Sequence, residues 1–177
     1  MHKNLPKKYY FINTFNKSHI KKLDKNIAII YRDYSKKNNQ NLIKKINNFC
    51  KFHKRKFLIS NDIKLAFKLN LDGVYLPSFN RNLRVNSYVK KKNFIVLGSA
   101  HNIKEIRIKE KQGLDAIFLS SLFKKKKTYL GLEKFKLLSK LTKMKTIALG
   151  GINNKNINKI KLLNNHGFAA ISFFNKK

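Results

Sequence analysis

The residues able to do chemistry in this chain gather at the ends of short apolar runs. Thr146 to Leu149 is followed by Gly150-Gly151-Ile152, and Phe168 to Phe173 carries Ile171-Ser172 near its close. Small residues after buried strands let backbone N–H groups approach an anion, and in a β/α barrel the loops after the seventh and eighth strands are the usual phosphate cradle. Other runs also end in polar groups. Arg32 and Asp33 follow Ile27 to Tyr31, and Ser60, Asn61 and Asp62 follow Phe57 to Ile59. Ser99 and His101 come after Phe94 to Leu97, while Ser120 and Ser121 come after Ala116 to Leu119 and precede the Lys124 to Lys127 run. With only 8 acidic residues in the chain, Asp33 and Asp62 at such positions carry weight. The pattern predicts a polar site for a phosphorylated small molecule.

Those groups converge only if the runs are strands of one sheet. Tyr9 to Asn13 and Gly73 to Leu76 complete a set of eight apolar runs, and between them lie stretches with apolar residues at three and four spacing. The clearest of these are Asn41 to Lys51, Ile103 to Gln112, Leu132 to Thr142 and Asn156 to Leu163. Strands alternating with helices predict a parallel sheet, and eight repeats predict closure into a (β/α)8 barrel. A doubly wound open sheet is the rival architecture. No Gly-x-Gly-x-x-Gly follows any run, which removes the usual dinucleotide-binding variant. Little chain separates the first two runs and little follows the last, so a compact barrel is expected, its first helix short and its last missing or vestigial. Neither Pro6 nor Pro77 marks a linker, and one domain over 1–177 is expected.

Composition limits the function further. The formal net charge is +33, from 41 basic and 8 acidic residues, which would ordinarily raise nucleic acid as a partner. Arginine, the residue that forks onto phosphates and reads bases, is confined to Arg32, Arg55, Arg81, Arg84 and Arg107. The excess is lysine spread over every segment, as a solubility or coding bias gives, so a nucleic-acid surface is disfavoured. Cys50 is the only cysteine, which excludes a disulfide within the chain and fits a reducing compartment. Near the N-terminus Tyr9 to Asn13 offers no apolar stretch of the roughly 7 to 15 residues a signal peptide needs, and nothing approaches the roughly 18 of a membrane span. A soluble, cytosolic protein with no membrane partner is expected.

The motifs together resemble the thiamine-phosphate synthase and TenI superfamily. Asn61-Asp62, with Leu65-Ala66 and then Asp72-Gly73-Val74-Tyr75-Leu76, is similar to that family's Asn-Asp segment. Ser99-Ala100-His101 resembles its serine loop, Asp115 to Phe123 with Leu130-Gly131 its sixth-strand segment, and Gly150-Gly151-Ile152 with Gly167 to Ser172 its closing phosphate site. The resemblance runs in order from about Tyr9 to Phe174 and implies a (β/α)8 barrel, as the strand pattern does independently. In the synthase, a pyrimidine methyl diphosphate loses pyrophosphate with the help of Mg2+, and the nitrogen of a thiazole phosphate captures the cation. The resemblance implies Arg32 on the pyrophosphate, Asn61 on the pyrimidine diphosphate, Asp62 on magnesium and Ser99 on substrate. Gly150 and Gly151, with Ile171 and Ser172, would cradle the thiazole phosphate.

Departures fall mainly on the diphosphate side. The family's Gln-x-Arg-Glu-Lys has Ile30, Asp33 and Tyr34 around Arg32. Where a second magnesium ligand, an aspartate, is usual, the chain reads Leu76-Pro77-Ser78-Phe79-Asn80, and Asn80 lacks the formal charge that favours a hard cation. The threonine-rich loop ending in lysine is replaced by Lys124 to Lys127 and Thr128, with Lys127 the nominal substrate-binding lysine. TenI-type tautomerases use a histidine after the fifth strand, where His101 stands, and a near-neutral imidazole suits such general acid/base work. The asymmetry leans toward a TenI-like member.

Each residue also has a structural reading. Asn61-Asp62 can cap a helix, Asp33 can pair with lysines, Gly150-Gly151 can be a tight turn, His101 can be an idle loop residue and the lysine run a solvated loop. Three functions follow: catalysis on thiazole phosphate by condensation or tautomerisation, binding of a thiamine precursor or phosphate without catalysis, and, least favoured, association with RNA. Homo-oligomerisation is left open by the sequence.

Overall fold

Residues 4–34, 39–87 and 93–175 are described by a computed structural model. The strands are β1 (Lys8–Ile12), β2 (Ile27–Tyr31), β3 (Phe57–Ser60), β4 (Gly73–Leu76), β5 (Ile95–Ala100), β6 (Ala116–Ser120), β7 (Lys145–Leu149) and β8 (Gly167–Ala170). They close in sequence order into a barrel, every neighbouring pair parallel, with β8 returning to β1 through Phe168, Ala169 and Ala170. The helices are α1 (Lys17–Lys22), α2 (Gln40–Phe52), α3 (Ile63–Lys68), α4 (Ile103–Lys111), α5 (Gly131–Lys140) and α6 (Ile157–Ile160), with a 3-10 turn at Leu83–Ser87. The (β/α)8 expectation holds, and the open-sheet rival does not.

Strand alternation divides the core into two layers. Inward residues, among them Tyr9, Phe11, Ile30, Leu58, Tyr75, Leu97, Phe118 and Ile147, fill the barrel, while their neighbours Tyr10, Ile12, Ile29, Ile59, Val74, Val96, Ile117 and Ala148 pack against the helices. Tyr9, Phe11, Tyr75 and Phe118 stand in this interior beside the branched aliphatics usual there. Tyr9, Phe11 and Tyr75 meet Phe118 edge to face at centroid distances of 5.2, 5.6 and 5.7 Å. This layer is the floor on which the mouth of the barrel rests.

Asparagine does much of the local work. The side chains of Asn16, Asn39 and Asn102 each accept a hydrogen bond from the backbone N–H three residues on, at 3.0 to 3.1 Å, and Asp62 does so at 2.9 Å. These caps satisfy N–H groups that a helix leaves orphaned. In α2 the apolar spacing buries Ile43, Ile46 and Cys50. Burial pushes the Cys50 thiol up to about 12, so it is an inert core group.

Two elements are shorter than their patterns suggest. The helix expected over Asn156 to Leu163 spans only Ile157–Ile160. The Asn156 side chain accepts from the Asn153 N–H and donates to the Gly151 carbonyl at 2.9 Å, so local asparagine bonds compete with helical ones. The run expected to end at Phe173 leaves the sheet after Ala170, and a turn follows in which the Phe174 N–H donates to the Ile171 carbonyl. The first helix is short, at 6 residues, and no helix follows β8 among the described residues. No helix of the described residues is long and apolar enough to cross a membrane.

Candidate functional site

At the C-terminal ends of the strands lies a cavity of about 550 Å³ that gathers residues from most of the barrel. Arg32 and Tyr34 come from the end of β2, Ser78 and Phe79 from the loop after β4, and Ser99 and His101 from β5 and the start of its loop. Ser120, Ser121, Lys124 and Lys126 follow β6, Gly150 and Gly151 follow β7, and Ile171 and Ser172 follow β8. The sequence-derived residues Arg32, Ser99, His101, Gly150, Gly151, Ile171 and Ser172 thus share one wall-to-wall site. Asn61, Asp62, Asn80 and Lys127 do not line it. Of the lysine run, Lys124 and Lys126 reach the cavity.

On one side two glycines form a tight turn against the β6 loop. Gly150 and Gly151 have φ of +105° and +75°, a region open chiefly to glycine. A Cβ at Gly150 would stand 2.5 Å from Ser121 Oγ, and one at Gly151 2.5 Å from the Lys124 backbone nitrogen. The β6 and β7 loops are laced together here, Leu122 N–H to the Leu149 carbonyl and Phe123 N–H to that of Gly150, both at 2.8 Å. Ser121 Oγ is fully buried and has no hydrogen-bond partner among the described residues. A buried hydroxyl without a partner is uncommon, and this one sits against the glycine turn.

The opposite side is cationic and aromatic. The Arg32 guanidinium lies 4.7 Å over the Phe11 ring and 5.9 Å from that of Tyr34, contacts that hold a planar cation in place. Tyr34 meets Phe79 edge to face at 5.7 Å, and both rings are largely exposed at the rim. Tyr75 Oη donates to Ser99 Oγ at 2.8 Å, and burial holds the Tyr75 phenol neutral, at about 12.

His101 sits between two hydroxyls, Nδ1 at 3.2 Å from Ser120 Oγ and Nε2 at 3.5 Å from Ser78 Oγ. Its backbone N–H donates to Glu105 at 2.7 Å, which ties the loop to the first turn of α4. Burial lowers its pKa, the nearby Glu105 carboxylate raises it and Lys126 lowers it, for a net downward shift. The neutral imidazole prevails at pH 7 and can exchange protons with a bound substrate.

The magnesium ligands named from sequence stand apart from this cavity. One carboxylate oxygen of Asp62 accepts from the Leu65 N–H as the cap of α3. Asn80 Oδ1 accepts from Gln112 Nε2 and from the Asn82 N–H, both at 3.1 Å, while its Nδ2 donates to Asn61 Oδ1 at 2.7 Å. Among the described residues no three His, Cys, Asp or Glu side chains cluster as a metal site. One carboxylate and an amide oxygen already holding two donors do not fit a two-ligand magnesium site.

Sequence reasoning passed over Lys109 and Gln112, which lie under the β4 loop. Lys109 is fully buried and its Nζ donates to the carbonyls of Pro77 and Asn80 and to Gln112 Oε1, at 2.9, 2.7 and 3.0 Å. The available signal was its spacing, three residues after Ile106 on the inward face of α4, where an apolar residue is expected.

A family model described as thiamine monophosphate synthase matches residues 19–174. The thiamine-phosphate synthase of Pelagibacter ubique is 32% identical over 185 residues, covering 97% of this chain and 87% of that protein. A putative thiamine-phosphate synthase 2 of Aquifex aeolicus is 32% identical over 172 residues, covering 93% of this chain and 89% of that one. A Prochlorococcus marinus thiamine-phosphate synthase is 30% identical over 153 residues, which are 82% of this chain and 43% of that protein. Among solved structures, thiamine phosphate pyrophosphorylase from Pyrococcus furiosus shares the fold, with a TM-score of 0.77 at 21% identity over 94% of this chain and 86% of its own. With the family model spanning most of the barrel and relatives aligned almost end to end, the chain belongs to the thiamine monophosphate synthase family.

Proposed function

We propose that this chain makes thiamine phosphate by joining pyrimidine methyl diphosphate to thiazole phosphate in the barrel mouth. The observation that carries the reading is the buried, unpartnered Ser121 hydroxyl against the Gly150-Gly151 turn, facing Arg32 across the same cavity. The turn and Ser121 receive the thiazole phosphate, with Ile171 and Ser172 closing over it. Arg32 faces the diphosphate. The methylene C–O bond breaks with its electron pair leaving on pyrophosphate, and the thiazole nitrogen lone pair forms the new C–N bond. Charge grows on the leaving group, so a fixed guanidinium on that side lowers the barrier. The aromatic floor keeps out from below the water that would otherwise capture the cation. The reading carries with it a cytosolic setting.

A second reading rests on His101. A neutral imidazole flanked by hydroxyls can move a proton on a thiazole carboxylate phosphate, the tautomerase reaction. Supplying the substrates separately distinguishes them. The condensation reading expects thiamine phosphate only when both substrates are present and no change in the thiazole alone. Isomerisation of the thiazole carboxylate phosphate by itself, abolished in His101→Asn, would replace it with the tautomerase.

A further inference from the structure

The buried Lys109 ammonium can only donate hydrogen bonds. Its bond to Gln112 therefore fixes the Gln112 oxygen inward and turns Nε2 toward Asn80. Gln112 Nε2 then fixes Asn80 Oδ1, so Asn80 Nδ2 points on to Asn61 Oδ1. Asn61 is left with its own Nδ2 as the outer end of the chain of amides. It is exposed, at φ +60°, a left-handed conformation that asparagine tolerates better than most residues. Every amide in the series has its oxygen toward the buried cation and its N–H groups toward the rim. Such aligned dipoles reinforce one another.

We propose that Lys109, Gln112, Asn80 and Asn61 form a polarised relay that makes this rim a hydrogen-bond donor site for diphosphate oxygens, in place of a second magnesium ligand. The proposal rests on reading this side of the mouth as the diphosphate side. Lys109 and Gln112 are positioning residues, buried behind the rim; Asn61 and Asn80 do not line the cavity but stand at the rim beside the lining residue Phe79, and are the groups that would touch an anion extending over it. An aspartate at position 80 would present an acceptor to a cation, whereas the relay presents a donor to an anion. The Lys109 pKa, lowered to about 8 chiefly by burial, leaves it mostly charged at pH 7, so the relay keeps its source.

The test uses inorganic pyrophosphate as the probe, titrated into the full chain with and without Mg2+, by calorimetry and by side-chain amide NMR. The variants are Gln112→Glu, which keeps a partner for Lys109 but replaces the donor to Asn80 Oδ1 and to the Asn80 and Asn82 carbonyls with an acceptor, and Lys109→Met, which removes the source. Pyrophosphate should bind without metal and shift the Asn61 and Asn80 NH2 signals. Gln112→Glu, folded as judged by its backbone spectrum, should lose at least about tenfold in metal-free affinity, the scale of one hydrogen bond to a charged group. Lys109→Met should weaken binding in the same direction. Binding that needs Mg2+ and leaves those NH2 signals unmoved would overturn the relay while sparing the proposed function. Equal metal-free affinity in wild type and Gln112→Glu would overturn it too. No binding under either condition would remove the diphosphate reading and the relay with it.

Discussion

At the scale of single residues, the candidate site is lined by groups whose freedom is restricted by their neighbours. Gly151 combines φ +75° with backbone 2.5 Å from where a Cβ would stand. Gly151→Ala should lower stability by about 1 to 3 kcal/mol and thiazole phosphate affinity by at least about tenfold, as read by thermal melts and calorimetry. His101 should titrate below its ordinary 6.5, because burial outweighs the Glu105 carboxylate. Removing that carboxylate in Glu105→Gln should move the NMR titration lower still; an upward move would contradict the assigned causes. Residue types at strand ends made Arg32, Ser99, His101 and the two glycines legible from sequence, since a barrel brings all such ends to one rim. Lys124 and Lys126 were not separable from Lys127, because position in a lysine run says nothing of which side chain turns inward.

At the scale of elements, the loops after β3 and β4 have structural duties that share residues with the candidate site. Asp62 caps α3, so Asp62→Ala should cost about 1 kcal/mol in unfolding measurements. Asp62→Asn should retain most of that stability, since asparagine caps as well, and any loss of turnover in it would report the charge alone. In α4, Lys109 has a folded pKa of about 8 against an ordinary 10.5. Between those values the unfolded chain binds more protons than the folded one, so stability rises with pH in that window. The wild type should gain on Lys109→Met from about pH 8 to about 10.5 and run parallel to it below; a wild type that loses stability relative to Lys109→Met over that window would contradict the assignment. The apolar spacing located α2 and α4 well. It overextended α6, because Asn153 and Asn156 close turns with their side chains that periodicity does not register.

At the scale of the molecule, eight alternating repeats made the barrel legible before any motif was considered, and the family resemblance agreed with it. The aromatic part of its interior was less legible, because strand alternation gives the inward face but not how Phe11, Tyr75 and Phe118 meet edge to face there. The +33 charge draws anions toward the chain generally, while in the proposed reading selection would come from a glycine turn, a buried hydroxyl and one stacked arginine at the cavity. The most direct measurement is thiamine phosphate formation from pyrimidine methyl diphosphate and thiazole phosphate, with Mg2+ present, by the wild type, Arg32→Ala and Gly151→Ala. The account expects product from the wild type, a fall of about 10²-fold or more in kcat/KM for Arg32→Ala, and a rise in the KM for thiazole phosphate for Gly151→Ala. A folded wild type that binds thiazole phosphate and forms no thiamine phosphate would contradict it.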